Sequence, residues 1–288
     1  MPSFVFEAIG TRWQIDIHDV LDSVQEADFL TTIRARIDVF DVTYSRFRDD
    51  SWVTMIAQAA GTYPLPADAQ PLFALYEEMY RRTHGAMTPL IGQVLVDAGY
   101  DAAYSLHAGS LTSPRSWDDV IALTNKTITL HEPALLDFGA AGKGYCIDLI
   151  GSLLEEQGIH DYVIDAGGDI RCRGTRPLRI GLENPMDAKQ IVGVTRIQQQ
   201  SICGSAGNRR AWGSFHHIID PFSLASPRHI FATWVIADTT LLADALATAL
   251  WFVPASSLVE HYPFSSVILY ADGRCEVSSN FPGELFTS

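Results

Sequence analysis

The sequence predicts an α+β fold, with mixed and antiparallel sheets and packed helices. Three observations carry this. Strand-length apolar runs and amphipathic helical stretches alternate irregularly, unlike the regular succession of a doubly wound sheet. Hairpin signals recur, the clearest being Asp272-Gly273 between residues 266–270 and Cys275–Val277. At 288 residues, 47% hydrophobic and 19% charged, the chain can bury a full core as one large domain or two lobes.

Taken in order, residues 4–7 and 14–17 read as strands joined through Gly10-Thr11. Leu30, Ile33, Ile37 and Phe40 recur at helical spacing and predict a helix over 27–42. The polar segment Y-S-R-F-R-D-D-S-W follows as a connection. A second helix is expected over 71–82, with Leu72, Leu75 and Met79 inward and Gly85 beyond its end. Residues 88–117 show weak periodicity and predict loops with short helices. After a strand at 128–130, a helix is expected over 142–157, with Ile147, Ile150 and Leu154 inward and Gly158 closing it. Tyr162–Ala166 is a strand stopped by Gly167-Gly168, and 179–182 and 192–197 are two more. The run Ile218-Ile219-Asp220-Pro221 reads as a strand end, with 222–227 as a loop. Residues 233–236 form a strand and 241–252 a helix.

The net charge of −14 excludes a nucleic-acid footprint, which needs clustered Lys and Arg. It also means that any anionic ligand would need local cations. The four cysteines are widely spaced without a C-x-x-C, which excludes a typical zinc or redox motif and fits reduced thiols. The N-terminus lacks the pattern of a signal peptide and no apolar run spans a membrane, so a cytoplasmic location is expected.

The most informative stretch is L-D-F-G-A-A-G-K-G-Y-C-I-D followed by Y-V-I-D-A-G-G-D-I. Glycines and Lys143 stand at a helix start, where unpaired N–H groups and the dipole suit a phosphate. A P-loop is excluded: its first glycine would fall at Asp137, and Gly144 replaces the Ser or Thr that follows the lysine. Asp244 and Thr248, four residues apart, share a helix face and offer the hard oxygens that Mg²⁺ prefers. The same two residues equally suit an acidic group near a helix N-terminus and a hydroxyl bonding its own helix. In H-H-I-I-D-P, adjacent histidines on a strand face opposite ways, so one at most lines a site, where it could act as a general base.

Together these segments resemble the FAD:protein FMN transferase (ApbE) family. The resemblance runs in order through I-G-T at 9–11, Y-S-R-F-R-D-D-S at 44–51, T-H-G-A-M-T-P at 83–89 and D-F-G-A-A-G-K-G-Y at 137–145. It continues through D-A-G-G-D-I at 165–170, G-L-E-N-P at 181–185, H-H-I-I-D-P and A-D-A-L-A-T-A. It implies a single flavin transferase domain over residues 1–288. It also implies an enzyme that cleaves FAD with Mg²⁺, attaches FMN to a threonine or serine of a target protein, and releases AMP. The acceptor would carry a D-x-x-(S/T)-G-A-(T/S)-like motif. By the resemblance, the metal would be held by the Ala140 and Ala247 carbonyls, Asp244 and Thr248. FAD would be contacted by Ile9, Phe47, Ala86, Met87, Thr88, Asp137, Lys143 and Ile219, with Phe47 stacking on the flavin. His217 would be the general base.

The chain departs from the family pattern at three places. Thr88 stands where an acidic residue is usual, and Pro221 leads into F-S-L-A-S-P without the usual glycine. The upstream serine–glycine pattern survives only as Gly204-Ser205-Ala206-Gly207. Two other activities fit the same residues: an FAD pyrophosphatase yielding FMN and AMP, and a non-enzymatic flavin binder.

Overall fold

A computed structural model describes residues 2–21 and 23–286, the side chains of 23–28 excepted. The frame is an eight-stranded sheet, antiparallel at every pairing, in which spatial order follows chain order. Its strands are Ser3–Ala8, Thr11–Ile17, Tyr162–Ala166, Asp169–Arg173, Ser201–Ala206, Ile230–Ala237, Ser265–Tyr270 and Cys275–Val277. The α+β expectation holds, and the sheets are antiparallel throughout the described residues.

Side chains alternate across this sheet and separate two cores. Ile164, Cys203 and Val235 face a layer of helices, while Val163, Ile202 and Ile236 face a small sheet. The helices Gly142–Glu156 and Thr240–Ala249 lie directly on the first face. The small sheet, formed by Leu178–Asn184, Asp187–Ile197 and Gly283–Leu285, covers the second. Between Ile17 and Tyr162 the chain makes a long excursion. It contains the helices Ser23–Tyr44 and Gln70–Arg82 and a second small sheet of Gly61–Pro64, Ile121–Leu123 and Thr127–Leu130.

Several bounds differ from the sequence reading, each for a physical reason. The first long helix runs Ser23–Tyr44, and its inward stripe is Phe29, Ile33, Ile37, Phe40 and Tyr44, with Leu30 only partly covered. The helix expected over 241–252 is Thr240–Ala249, started by the Thr239 hydroxyl, which accepts from the Leu242 N–H at 3.2 Å. Gly167-Gly168 stops the strand at Ala166 as expected, and does so as a two-residue hairpin turn. Ala166 pairs with Asp169, and both glycines have positive φ, +63° and +95°. The histidine strand is short, Phe215–His216 pairing with Ala211–Trp212, so Ile218 and Ile219 lie beyond it.

All four cysteines are free, three of them buried. No helix among the described residues is long and apolar enough to cross a membrane.

The two central helices cross at a glycine. A Cβ on Gly144 would sit 2.3 Å from the Thr240 carbonyl oxygen and 2.7 Å from the Asp244 Cβ, so only glycine fits there. Beside it, Asp148 accepts from the Thr240 and Leu241 N–H groups at 3.0 and 2.8 Å, closing the N-terminus of the second helix from the first. Arg171 clamps Asp148 at 2.5 Å and Glu155 at 3.0 Å. A Gly144→Val substitution must spread this crossing. It should cost ~2 kcal/mol or more, a fall of about 4–8 °C in the thermal midpoint. An unchanged midpoint would refute the close-packing account.

Candidate functional site

The close crossing at Gly144 also shapes a polar site. The Gly144 N–H, one of the free donors of the helix start, gives its hydrogen bond to Asp244 Oδ2 at 2.8 Å. Gly142 N–H donates to the Phe138 carbonyl at 2.6 Å. The helix start is therefore not the open phosphate cradle expected from its glycines, because its donors are committed within the protein. What it does instead is hold a buried carboxylate. Asp244 is 6% exposed, and desolvation pushes its pKa up, against the pull of the Lys143 charge and the Gly144 N–H.

One helical turn on, Thr248 donates to the Ala140 carbonyl at 3.4 Å, so Asp244, Thr248 and Ala140 present oxygens to one place. The Ala247 carbonyl accepts from the Thr233 hydroxyl at 2.6 Å, which leaves one lone pair for another partner. Among the described residues no group of three or more His, Cys, Asp or Glu is placed to hold a metal ion. The set here is one carboxylate with neutral oxygens, the donor chemistry that Mg²⁺ accepts, and it fits that ion.

Lys143 does not project freely. Its ammonium is bonded to Asp169 and to the Ala166 carbonyl, the latter at 3.2 Å. Asp169 also accepts from the Gly204 N–H at 3.2 Å, so the lysine is tied to two strands of the sheet. Asp137 is likewise engaged: Arg46 Nε donates to it at 2.5 Å and the Gly139 N–H at 2.8 Å. The turn that carries Ala140 is fixed from below by the buried Tyr76, whose hydroxyl accepts from the Ala140 N–H at 3.2 Å.

Three adjoining cavities meet at Gly139 and Arg210. The first, a cleft of about 430 Å³, has Lys143, His217, Asp244 and Thr248 in its wall. The second, about 90 Å³, is apolar and is lined by Phe47, Ala86, Met87, Thr88, Asp137, Ala140 and Ile219, with His217 and Thr248 shared. The third, about 510 Å³, adds Ile9 beside Phe47, Asp137 and Lys143. Residues from six separate sequence segments thus converge. Ala247 is the exception, fully buried behind Thr248 and lining none of these cavities.

Ile9 stands in the left-handed region at φ +42° in the turn between the first two strands. Phe47 stacks in parallel on Tyr104, ring centres 5.5 Å apart, and carries the Arg46 guanidinium 4.2 Å from its own ring centre. Its ring is already in aromatic and cationic company before any flavin arrives.

Two departures from the family pattern have local explanations. Thr88 accepts from the Leu90 N–H at 3.2 Å and so starts the short 3₁₀ turn Pro89–Ile91, a role open to threonine and aspartate alike. In the 222–227 loop, Leu224 takes a positive φ of +54° where a glycine would be unstrained. Asp220 holds that loop by accepting from the Phe222 N–H at 2.8 Å and the Ser223 hydroxyl at 3.0 Å.

Of the two histidines, His217 reaches the cleft and His216 does not. His216 is buried, with Nε2 3.0 Å or less from a carbonyl, 2.9 Å to that of Pro227. His217 Nδ1 lies 3.1 Å from the Arg209 carbonyl. A carbonyl oxygen only accepts, so Nδ1 carries the proton and neutral His217 keeps its lone pair on Nε2. Desolvation, then the Arg210 and His216 charges, lower the His217 pKa to about 3.

Sequence reasoning missed Arg46, Arg209, Arg210 and Tyr76. The runs R-F-R and N-R-R were the available signal, since they are rare basic clusters in an acidic chain.

His217 should therefore stay neutral where an ordinary histidine titrates. Its ring resonances should be flat in an NMR titration between about pH 7.5 and 4.5. The unfolded imidazole takes up its proton near 6.5 and the folded one only near 3, so this group removes stability as pH falls from 6.5 towards 3. A midpoint near 6.5 for His217 would refute this environment.

The model of the ApbE family matches residues 9–263 of the chain. An FAD:protein FMN transferase of Rhodobacter capsulatus is 26% identical over 272 residues, covering 86% of this chain and 50% of that protein. One from Klebsiella pneumoniae (strain 342) is 26% identical over 267 residues, covering 85% of this chain and 76% of that protein. The chain thus spans half the length of the first of these relatives and about three quarters of the second. Among solved structures, the ApbE protein of Thermotoga maritima MSB8 superposes with a TM-score of 0.84 at 18% identity, over 96% of this chain and 97% of that one. The flavin transferase ApbE of Vibrio cholerae does so at 0.80 and 21% identity, with the same coverage.

Proposed function

The chain belongs to the ApbE family, and from that membership we propose that it is a single-domain FAD:protein FMN transferase. It cleaves the diphosphate of FAD, joins the FMN phosphate to a serine or threonine of an acceptor protein, and releases AMP. The observation that carries this reading is the meeting, in one cleft, of a buried carboxylate–hydroxyl pair and a neutral histidine. A flavin binder alone would have no use for Asp244 held at 2.8 Å by a backbone N–H in an otherwise apolar helix.

In this reading the apolar cavity and its approach, from Ile9 and Phe47 through Ala86, Met87 and Thr88 to Ile219, hold the FAD. The carbonyls of Ala140 and Ala247, with Asp244 and Thr248, would hold Mg²⁺. When bound, this ion supplies positive charge to phosphate oxygens on which charge builds during transfer. Lys143, paired with Asp169 and bonded to the Ala166 carbonyl, holds the wall of the cleft beside it. Asp137 is fixed by Arg46 and Gly139 and so keeps the turn bearing Ala140 in shape.

His217 Nε2 takes the proton of the acceptor hydroxyl as its oxygen bonds to the FMN-side phosphorus. The bond from that phosphorus to the bridging oxygen breaks, and AMP leaves carrying that oxygen. The acceptor's D-x-x-(S/T)-G-A-(T/S)-like segment would reach this point through the open cleft. With its Nδ1 proton held by the Arg209 carbonyl, His217 presents Nε2 as the accepting nitrogen.

Incubation with FAD and Mg²⁺, with and without a peptide bearing that motif, tests the reading through AMP release and in-gel flavin fluorescence. Fluorescent acceptor with stoichiometric AMP is the expected result. AMP and free FMN without acceptor would instead establish a pyrophosphatase, and FAD bound but uncleaved a flavin binder. Asp244→Ala should lower AMP release by ~10³-fold or more, as should chelation of the metal. Full activity of that variant would remove Asp244 from the metal site.

A further inference from the structure

Neither the motifs nor the family resemblance gave a role to three cations at the site, Arg46, Arg209 and Arg210, and the last of these stands apart. Arg210 ends the turn after Ser201–Ala206, is exposed, and is the residue that, with Gly139, borders all three cavities. Among the described residues its guanidinium has no hydrogen bond or ion pair. Two other cations of the site are committed to carboxylates and a carbonyl. Arg209 donates twice to Glu183, at 2.9 and 3.0 Å, and Lys143 is bound to Asp169 and the Ala166 carbonyl. Arg46 gives Nε to Asp137 and lies over two aromatic rings; its Nη1 and Nη2 are buried without a hydrogen-bond partner, and of the three cavities it borders only the third.

The charge of Arg210 acts across the whole site. The side chain lines one cleft together with Lys143, His217 and Asp244. Those three groups surround the position where a phosphate would react in the proposed transfer. An unpaired guanidinium beside them has five donors in a fixed fork that matches phosphate oxygens. Lys143 cannot offer the same without breaking its bond to Asp169.

We propose that Arg210 binds the diphosphate of the nucleotide substrate directly, and that Lys143 is a positioning residue acting through Asp169. The inference deepens the flavin-transfer reading and rests on it for the identity of the nucleotide. The basic fork at the junction of the cavities places the diphosphate there, with the flavin and adenosine parts running into different cavities.

The test is calorimetric titration of wild type, Arg210→Ala and Arg210→Lys with FAD, ADP and inorganic pyrophosphate, together with thermal unfolding of each protein. Because the Arg210 side chain holds nothing else in place, Arg210→Ala should unfold at the wild-type midpoint. It should bind FAD and ADP at least about tenfold more weakly. Arg210→Lys should recover part of this, since a point charge replaces the fork. In turnover the loss should fall on KM more than on kcat. Wild-type affinity in Arg210→Ala would overturn the inference while leaving the transferase reading intact. A loss of affinity accompanied by a large fall in midpoint would also overturn it, by making the role structural. Wild type that binds pyrophosphate through Arg210 but not FAD would keep the inference and overturn the flavin reading. Wild type that binds neither would overturn both.

Discussion

The contact on which this structure most depends is the van der Waals approach of two helices at Gly144. With no side chain there, the backbone of Gly142–Glu156 comes against the Thr240 carbonyl and the stem of Asp244. Three consequences follow from that one missing methyl group. The first-turn N–H of Gly144 can reach Asp244, so a carboxylate can be buried without an ion pair. Asp148 comes within reach of the second helix and supplies it with a cap. The Ala140 turn, immediately before the first helix, is carried to within hydrogen-bond range of Thr248. Fold and site therefore share one packing constraint.

The electrostatics extend the same economy. A chain of net charge −14 that handles an anionic ligand must concentrate its cations and keep them correctly occupied. Here most basic side chains near the site are neutralised by a specific carboxylate: Arg46 by Asp137, Lys143 by Asp169, Arg209 by Glu183. Such pairs fix geometry without leaving a general positive field. One guanidinium stays unpaired, and this gives the junction of the cavities its local sign. His217 is part of the same balance, since desolvation, aided by the charge nearby, keeps its imidazole neutral.

Most of this architecture was legible in the sequence where the pattern was strong. The helices 142–156 and 70–82, the Gly158 stop and the Asp272-Gly273 hairpin all follow from periodicity and turn chemistry. What stayed hidden was built from small or short pieces. Ser201–Ala206, with the sequence S-I-C-G-S-A, has little strand propensity of its own and is a strand because neighbours on both sides pair with it. Gly167-Gly168 showed its glycines but not the hairpin partner across the turn. At the site, residue types were readable and their occupancy was not. Nothing in G-K-G-Y discloses that Lys143 is already bound to Asp169, or that the Gly144 N–H is used by a residue on another helix. Those facts belong to long-range packing, which a local window does not contain.

The long excursion between Ile17 and Tyr162 gives any bound nucleotide a second role. The strands at its two ends pair directly, so the sheet closes around an interruption that carries Phe47, Ala86, Met87 and Thr88, while Asp244, Thr248 and His217 come later in the chain. A ligand seated across these cavities touches both parts and ties them together as a removable cross-link. At a hundredfold excess over its Kd, such a ligand adds ~2.7 kcal/mol to the folded state. A ligand seated there would help to hold the fold that recognises it, and its removal would leave the two parts joined by the protein alone.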